Sequence, residues 1–204
     1  MNATPQKKTV NTKKLVGIGL FTAIVVVLQL LTSGLMRAGM FSVTFVLVPI
    51  VVGSAVYDWK AGAWLGFVFS CLAMLDSGFF LAMNVVGTVL TVFLKGTLCG
   101  LCAGLVYKLL EKKSALLAVI AAAIASPVVN TGIFILGCFV FFIPGLTEAL
   151  KATAESGSAP AVIATGDVVK YIFTGLVGGN FFIELAMNVV LVPVIARLIK
   201  IGKK

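Results

Sequence analysis

Apolar residues run along this chain in six blocks, at about 15–35, 43–57, 61–75, 84–109, 115–143 and 168–199. Blocks near 20 residues match the hydrocarbon thickness of a bilayer, where a helix satisfies its own backbone. The pattern predicts an all-α integral membrane protein, a six-helix bundle forming one membrane domain over residues 1–204. The second and third blocks are short and joined by a tight turn at Asp58, Trp59 and Lys60. They are expected to tilt or to lengthen into neighbouring loops. Of the breaks on the other side, 32–42 reads TSGLMRAGMFS, 76–84 is short, and 144–167 is rich in Ala, Ser, Gly and Thr. The 144–167 stretch reads as a long outer loop with a short helix at 147–155, either a lid over a site or a plain linker.

Composition sharpens the class. The chain is 60% apolar and 11% charged, with a mean hydropathy of +1.15. Soluble domains carry roughly a quarter charged residues, so a water-soluble enzyme, a disordered tail and a disulfide-stapled secreted domain are excluded. Histidine is absent, which removes HExxH zinc sites, Ser-His-Asp triads and Cys-His dyads. Cys71, Cys99, Cys102 and Cys138 all fall in apolar runs. Cys99 and Cys102 spell C-x-x-C inside a helical pattern and read as small packing residues rather than a redox or metal pair. No P-loop motif occurs, so any ATP must be bound by another chain. No cofactor, metal or catalytic group is expected.

Charge sets the sidedness. Lys7, Lys8, Lys13, Lys14, Lys60, Lys108, Lys112, Lys113, Arg197, Lys200, Lys203 and Lys204 share one side with only Asp58 and Glu111. The opposite side holds Arg37, Lys151 and Lys170 against Asp76, Glu148, Glu155 and Asp167. The positive-inside rule places both termini in the cytoplasm. The net charge of +9 is thus a topology signal, with anionic lipid contact in addition; it requires no nucleic acid. The first block exceeds a signal peptide's apolar core and no clear cleavage site follows it, so it reads as retained.

Two ionisable residues fall mid-block, Lys95 in the fourth and Glu184 in the sixth. A charge at mid-bilayer costs roughly 3 kcal/mol and ordinarily faces protein or a water-filled space. Asn84, Thr88, Thr91 and Lys95 step by four, three and four, onto one helix face. Asn180, Glu184 and Asn188 do the same in the sixth block, and the fifth adds Ser126, Asn130 and Thr131 beside Pro127. Two readings stand: a polar cavity between the last three spans, open outward, or Lys95 paired with Glu184 and asparagines bridging helices. The second and third spans offer almost no polar groups. Small residues repeat at four-residue intervals at Gly96, Gly100 and Gly104, at Gly62, Gly66 and Ser70, and at Gly19 and Ala23. The first two sets are expected to pack inside the chain; Gly19 and Ala23 could equally meet another subunit.

Three segments carry a family resemblance: the basic start 11–15 (NTKKL), residues 41–69 (FSVTFVLVPIVVGSAVYDWKAGAWLGFVF) and residues 125–137 (ASPVVNTGIFILG). In these the chain resembles the substrate-binding S components of energy-coupling-factor vitamin transporters, in the group holding riboflavin, folate and pantothenate binders. The resemblance implies six helices with both termini inside. It also implies a vitamin pocket on the outer half, built largely by spans four to six and closed by the loop after span one. Positions that would serve are Arg37, Asn84, Lys95, Asn130, Glu184 and Asn188. Gly19 and Ala23 stand where the family's first helix carries an Ala-x-x-x-Ala contact to a transmembrane coupling subunit, a departure at the first position. That subunit and two ATPases would supply the work, in the plasma membrane of a prokaryote, while the binder topples to release its load. A Lys-Asn-Asn-Glu lining ranks pantothenate first and folate next. Riboflavin would want more stacking surface than Tyr107, Tyr171 and the two tryptophans offer. A stand-alone carrier or channel using Lys95 and Glu184, and a non-transporting structural subunit, are the alternatives.

Overall fold

Capping residues and prolines decide where the helices begin and bend. The computed structural model describes residues 12–37, 45–155 and 165–202, and among these no strand occurs. In order come α1 (Thr12–Arg37), α2 (Leu47–Val56), α3 (Trp59–Ala73), a 3-10 turn (Met74–Asp76), α4 (Gly78–Met83) and α5 (Val85–Leu110). Then follow α6 (Ala115–Gly137), α7 (Ile143–Glu155), α8 (Thr165–Tyr171), α9 (Gly179–Val190) and α10 (Val192–Gly202). The starts of α3, α5 and α6 are capped by Asp58, Asn84 and Ser114, each accepting a backbone N–H three residues on. That is the cheapest satisfaction of a helix's orphan donors.

Three expected boundaries are corrected. The short helix expected at 147–155 is present as part of α7, but residues 144–146 are not loop: π-helical Cys138–Phe142 joins α6 to α7, so Ala115–Glu155 is one rod of 41 residues. Pro144 lacks the N–H for an α-type bond, and the wider π turn just before it lets the helix continue. The 76–84 connection holds α4 as well as the end of the 3-10 turn. The sixth block is broken at Leu191, directly before α10 and two residues before Pro193. A second π segment, Ile172–Gly178, joins α8 to α9.

Four helices are long and apolar enough to cross a membrane: Thr12–Gly34, Val85–Leu110, Ala115–Glu155 and Thr165–Val190. With 10 and 15 residues, α2 and α3 reach only about 15 and 22 Å at 1.5 Å per residue. That is short of the roughly 30 Å of a hydrocarbon core. Leu15, Val16, Leu20, Val27 and Leu31 leave the outer face of α1 more than half exposed, as lipid contact allows.

The α3–α5 seam rests on glycine. A Cβ on Gly62 would run into the Gly100 carbonyl oxygen, and one on Gly66 into that of Gly96. The two repeats interlock backbone to backbone, as expected for packing inside the chain. Ser70 donates to the Gly66 carbonyl and, across the seam at 2.9 Å, to the Val92 carbonyl.

The bundle has two unlike ends. At one, Lys14 donates to Asp58, Gly17 abuts Tyr57 and Gly104 abuts Trp59. Lys60, Lys108 and Lys200 belong to elements ending or starting there, and Lys112 and Lys113 to the turn between α5 and α6. At the other end, Ser33 donates to Asp76, Gly87 meets Phe141 and Gly145 meets Met83.

Candidate functional site

A cavity of about 290 Å³ opens between α1, the end of α3, α5, α6 and the rod containing α8 and α9. It sits toward the end where Ser33 meets Asp76. The Asn84 cap starts α5, and Thr88 follows one turn later, donating to the Asn84 carbonyl at 2.7 Å. Thr91 and Lys95 continue along the same face, giving the cavity a polar wall about 10 Å long at 1.5 Å per residue. α6 presents Asn130 and Thr131, and α9 presents Asn180 and Glu184 one turn apart.

Lys95 and Glu184 supply opposite charges. Glu184 is 6% exposed, and its field acts on Lys95. The Lys95 Nζ lies 5.3 Å from the centroid of the Phe134 ring, a cation–π placement. At the α1 side, Gln29 Nε2 lies 3.4 Å from Ser33 Oγ and 3.5 Å from Asp76 Oδ2, and Ser33 donates to the same carboxylate oxygen. This cluster ties α1 to the turn after α3.

Three buried polar atoms of lining residues have no protein hydrogen bond: the carbonyl-type oxygens Gln29 Oε1 and Asn130 Oδ1 and the hydroxyl Thr91 Oγ1. A buried polar atom left unmet costs about 1–3 kcal/mol. Thr91 Oγ1 lies against Gly137 of α6, and the residues carrying all three atoms belong to the lining. Between them stand the rings of Phe69, Phe80, Phe134, Phe142 and Phe181.

Of the residues singled out in the sequence, Thr88, Thr91, Lys95, Asn130 and Glu184 are brought together in this lining. Asn84 and Asn188 lie outside it. Asn84 caps α5 through Gly87 N–H at 2.8 Å, and Asn188 is fully buried, its Nδ2 donating to the Glu184 carbonyl at 2.9 Å. Arg37 ends α1, and its side chain lies outside the described residues. The loop after the first span, 38–44, lies outside them too. Gly19 and Ala23 are exposed, and a Cβ on Gly19 would meet nothing within 4 Å.

The last three spans supply most of the lining but not all of it. Gln29 and Thr32 of α1 and Asp76 and Ser77 beyond α3 complete it. Their signal was present, since Gln29 and Thr32 are polar at helical spacing inside an apolar block and Asp76 closes another. The aromatic argument is corrected: it weighed tyrosine and tryptophan, whereas phenylalanine supplies the ring surfaces.

Compared with known proteins, the chain matches no curated protein and no solved structure. A family model does match, that of the ECF transporter, substrate-specific component, over residues 13–196. Such components are substrate-binding subunits of transporters, not enzymes. The match runs from the first turn of α1 into α10 and takes in every residue of the cavity, and on that ground the chain belongs to the family of ECF transporter substrate-specific components.

Proposed function

We propose that this chain is the membrane-embedded binding subunit of an ATP-driven uptake transporter for a small water-soluble vitamin. The observation that carries this is the cavity itself, which Lys95, Glu184, Thr88, Asn130 and Asn180 line together. In this reading the chain spans a prokaryotic plasma membrane with six segments, α2 and α3 being the two short ones. Both termini are cytoplasmic, because the lysine-rich end then follows the positive-inside rule. The cavity opens outward, and the bilayer covers the apolar face of α1.

The partners are a transmembrane coupling subunit and two ATPases, which alone bind ATP; the chain itself carries no cofactor and takes no nucleic acid. The exposed strip at Gly19 and Ala23 supports α1 as the docking helix, since small residues let helix backbones approach closely in lipid. Pantothenate and folate head the vitamins to test. The case for pantothenate rested on a Lys-Asn-Asn-Glu set, and the placement of Asn188 outside the cavity weakens it.

The test is calorimetry on the purified chain against a panel of vitamins. Tight one-to-one binding without partner subunits is expected. Lys95→Ala should weaken it by at least about 2 kcal/mol, roughly 30-fold, if the ammonium meets a buried ligand group. No binding by a folded chain, together with transport by that chain alone in liposomes, would instead favour a secondary carrier.

A further inference from the structure

We infer that a water molecule is bound one helical turn beneath the cavity, between Ser126 of α6 and Asn188 of α9, where it ties two of the cavity's walls together. The site is separate from the cavity and does not depend on which solute the cavity takes.

Helix register places the two residues at one level. Asn130 of α6 and Glu184 of α9 line the cavity together. Toward the lysine-rich end, Ala118, Val119 and Ala122 of α6 share an apolar cluster with Val192, Ile195 and Ile199 of α10. α6 and the α9–α10 pair therefore run in opposite directions. One turn from Asn130 toward that end lies Ser126, and one turn from Glu184 toward it lies Asn188. The contacts above and below bracket them. Both are fully buried, and neither lines the cavity.

Each carries an atom that the protein leaves unmet. Asn188 Nδ2 donates to the Glu184 carbonyl at 2.9 Å, and its Oδ1 has no partner. Turning the amide over would set oxygen against oxygen, so the carbonyl fixes its orientation. Ser126 Oγ has no hydrogen bond in the helices around it. The Cys99 thiol lies beside it, but that proton goes to the Gly96 carbonyl at 3.1 Å. What remains toward Ser126 is sulfur, a weak acceptor. Pro127 adds a third group. Having no N–H, it gives the carbonyl of fully buried Ala123 no helical donor.

Buried polar groups nearly always find a partner, and where side chains do not reach, a water with two to four polar neighbours serves. One molecule here can accept the Ser126 proton while donating to Asn188 Oδ1 and to the Ala123 carbonyl. A divalent cation would require about six oxygens, more than this layer offers. The water sets the spacing of α6 and α9 directly beneath Asn130 and Glu184. Through Asn188 it also steadies the turn that carries Glu184. Below it the polar column stops, because Ala118, Ala122 and Ile195 are fully buried. Ser126 and Asn188 are thus polar at the right spacing for the cavity wall and yet serve the floor.

The test is an experimental structure of the full chain at a resolution that shows ordered water, with thermal unfolding of variants in one detergent. A peak at about 2.6–3.2 Å from both Ser126 Oγ and Asn188 Oδ1 is expected. A direct Ser126–Asn188 hydrogen bond, or a dry layer, overturns the inference. Ser126→Ala and Asn188→Leu should each lower the unfolding temperature by about 2–8 °C, since each leaves the shared water a partner short. The double variant, which removes both polar side chains, should unfold no lower than the weaker single variant. Losses that simply add would show that the two groups share no partner, and would likewise sink the inference. If a variant fails to fold, the density in the unaltered chain decides alone.

Discussion

Replacing Gly66 with alanine should separate α3 from α5, the helix that carries Thr88, Thr91 and Lys95 of the cavity wall. A Cβ there would lie 2.8 Å from the Gly96 carbonyl carbon and 3.2 Å from Thr97 Cα, inside the roughly 3.5–4.0 Å of comfortable carbon contact. Both obstacles are backbone, so no rotamer change relieves them; α3 and α5 must move apart by about 1 Å. Overpacking of this kind costs about 1–3 kcal/mol. Alanine also gains up to about 1 kcal/mol of helix propensity over glycine. Gly19→Ala makes the same chemical change in α1, where nothing lies within 4 Å of the new methyl. Comparing the two variants cancels the propensity gain and leaves the packing cost. At 2 kcal/mol, and roughly 2–4 °C per kcal/mol for a chain of this size, Gly66→Ala should unfold about 4–8 °C below Gly19→Ala. Both tryptophans, Trp59 and Trp64, sit on α3, so intrinsic fluorescence during heating in one detergent reads the seam directly. Unfolding of Gly66→Ala at or above the temperature of Gly19→Ala would refute the interlocked-backbone account.

Ala23→Leu should leave ligand affinity of the isolated chain unchanged while impairing uptake by the reconstituted complex. Lost affinity in the isolated chain would mean that this face packs internally. Asn84→Ala should cost about 1 kcal/mol of stability through the lost cap, measured by thermal unfolding. An affinity loss equal to that of Lys95→Ala would instead put Asn84 in the binding chemistry. Burial pushes the Asp58 carboxyl up, but the Lys14 hydrogen bond and the Ala61 N–H outweigh this and hold it below its usual range. A depressed carboxyl stabilises the fold above the unfolded value near 3.9, and that share is lost as pH falls through the folded value. Thermal unfolding followed below about pH 4 should therefore show an acid loss in the unaltered chain that Asp58→Asn lacks, and identical curves would contradict it.

By itself the sequence determined the medium and the main helices. Apolar blocks of bilayer length, lysines gathered between alternate blocks and a lone charge in each of two blocks are local or periodic features, legible without contacts. The same periodicity put Thr88, Thr91 and Lys95 on one face, because spacing along a helix fixes direction around it. The two glycine repeats were legible as close-approach surfaces, but only packing decided that they meet each other rather than a partner. The fifth block ends near 143 in the sequence, whereas the π turn that carries the helix on past Pro144 is a property of the folded rod. The cavity's other wall was hidden for a related reason. Gln29 and Asp76 are 47 positions apart, and nothing in either helix's own pattern says that α1 ends against the turn after α3. The phenylalanines were invisible in the same way, since in an apolar chain a ring facing lipid and a ring facing ligand read alike. Periodicity orients side chains about one axis; which axes lie side by side, and what they enclose, is settled only by how the helices pack.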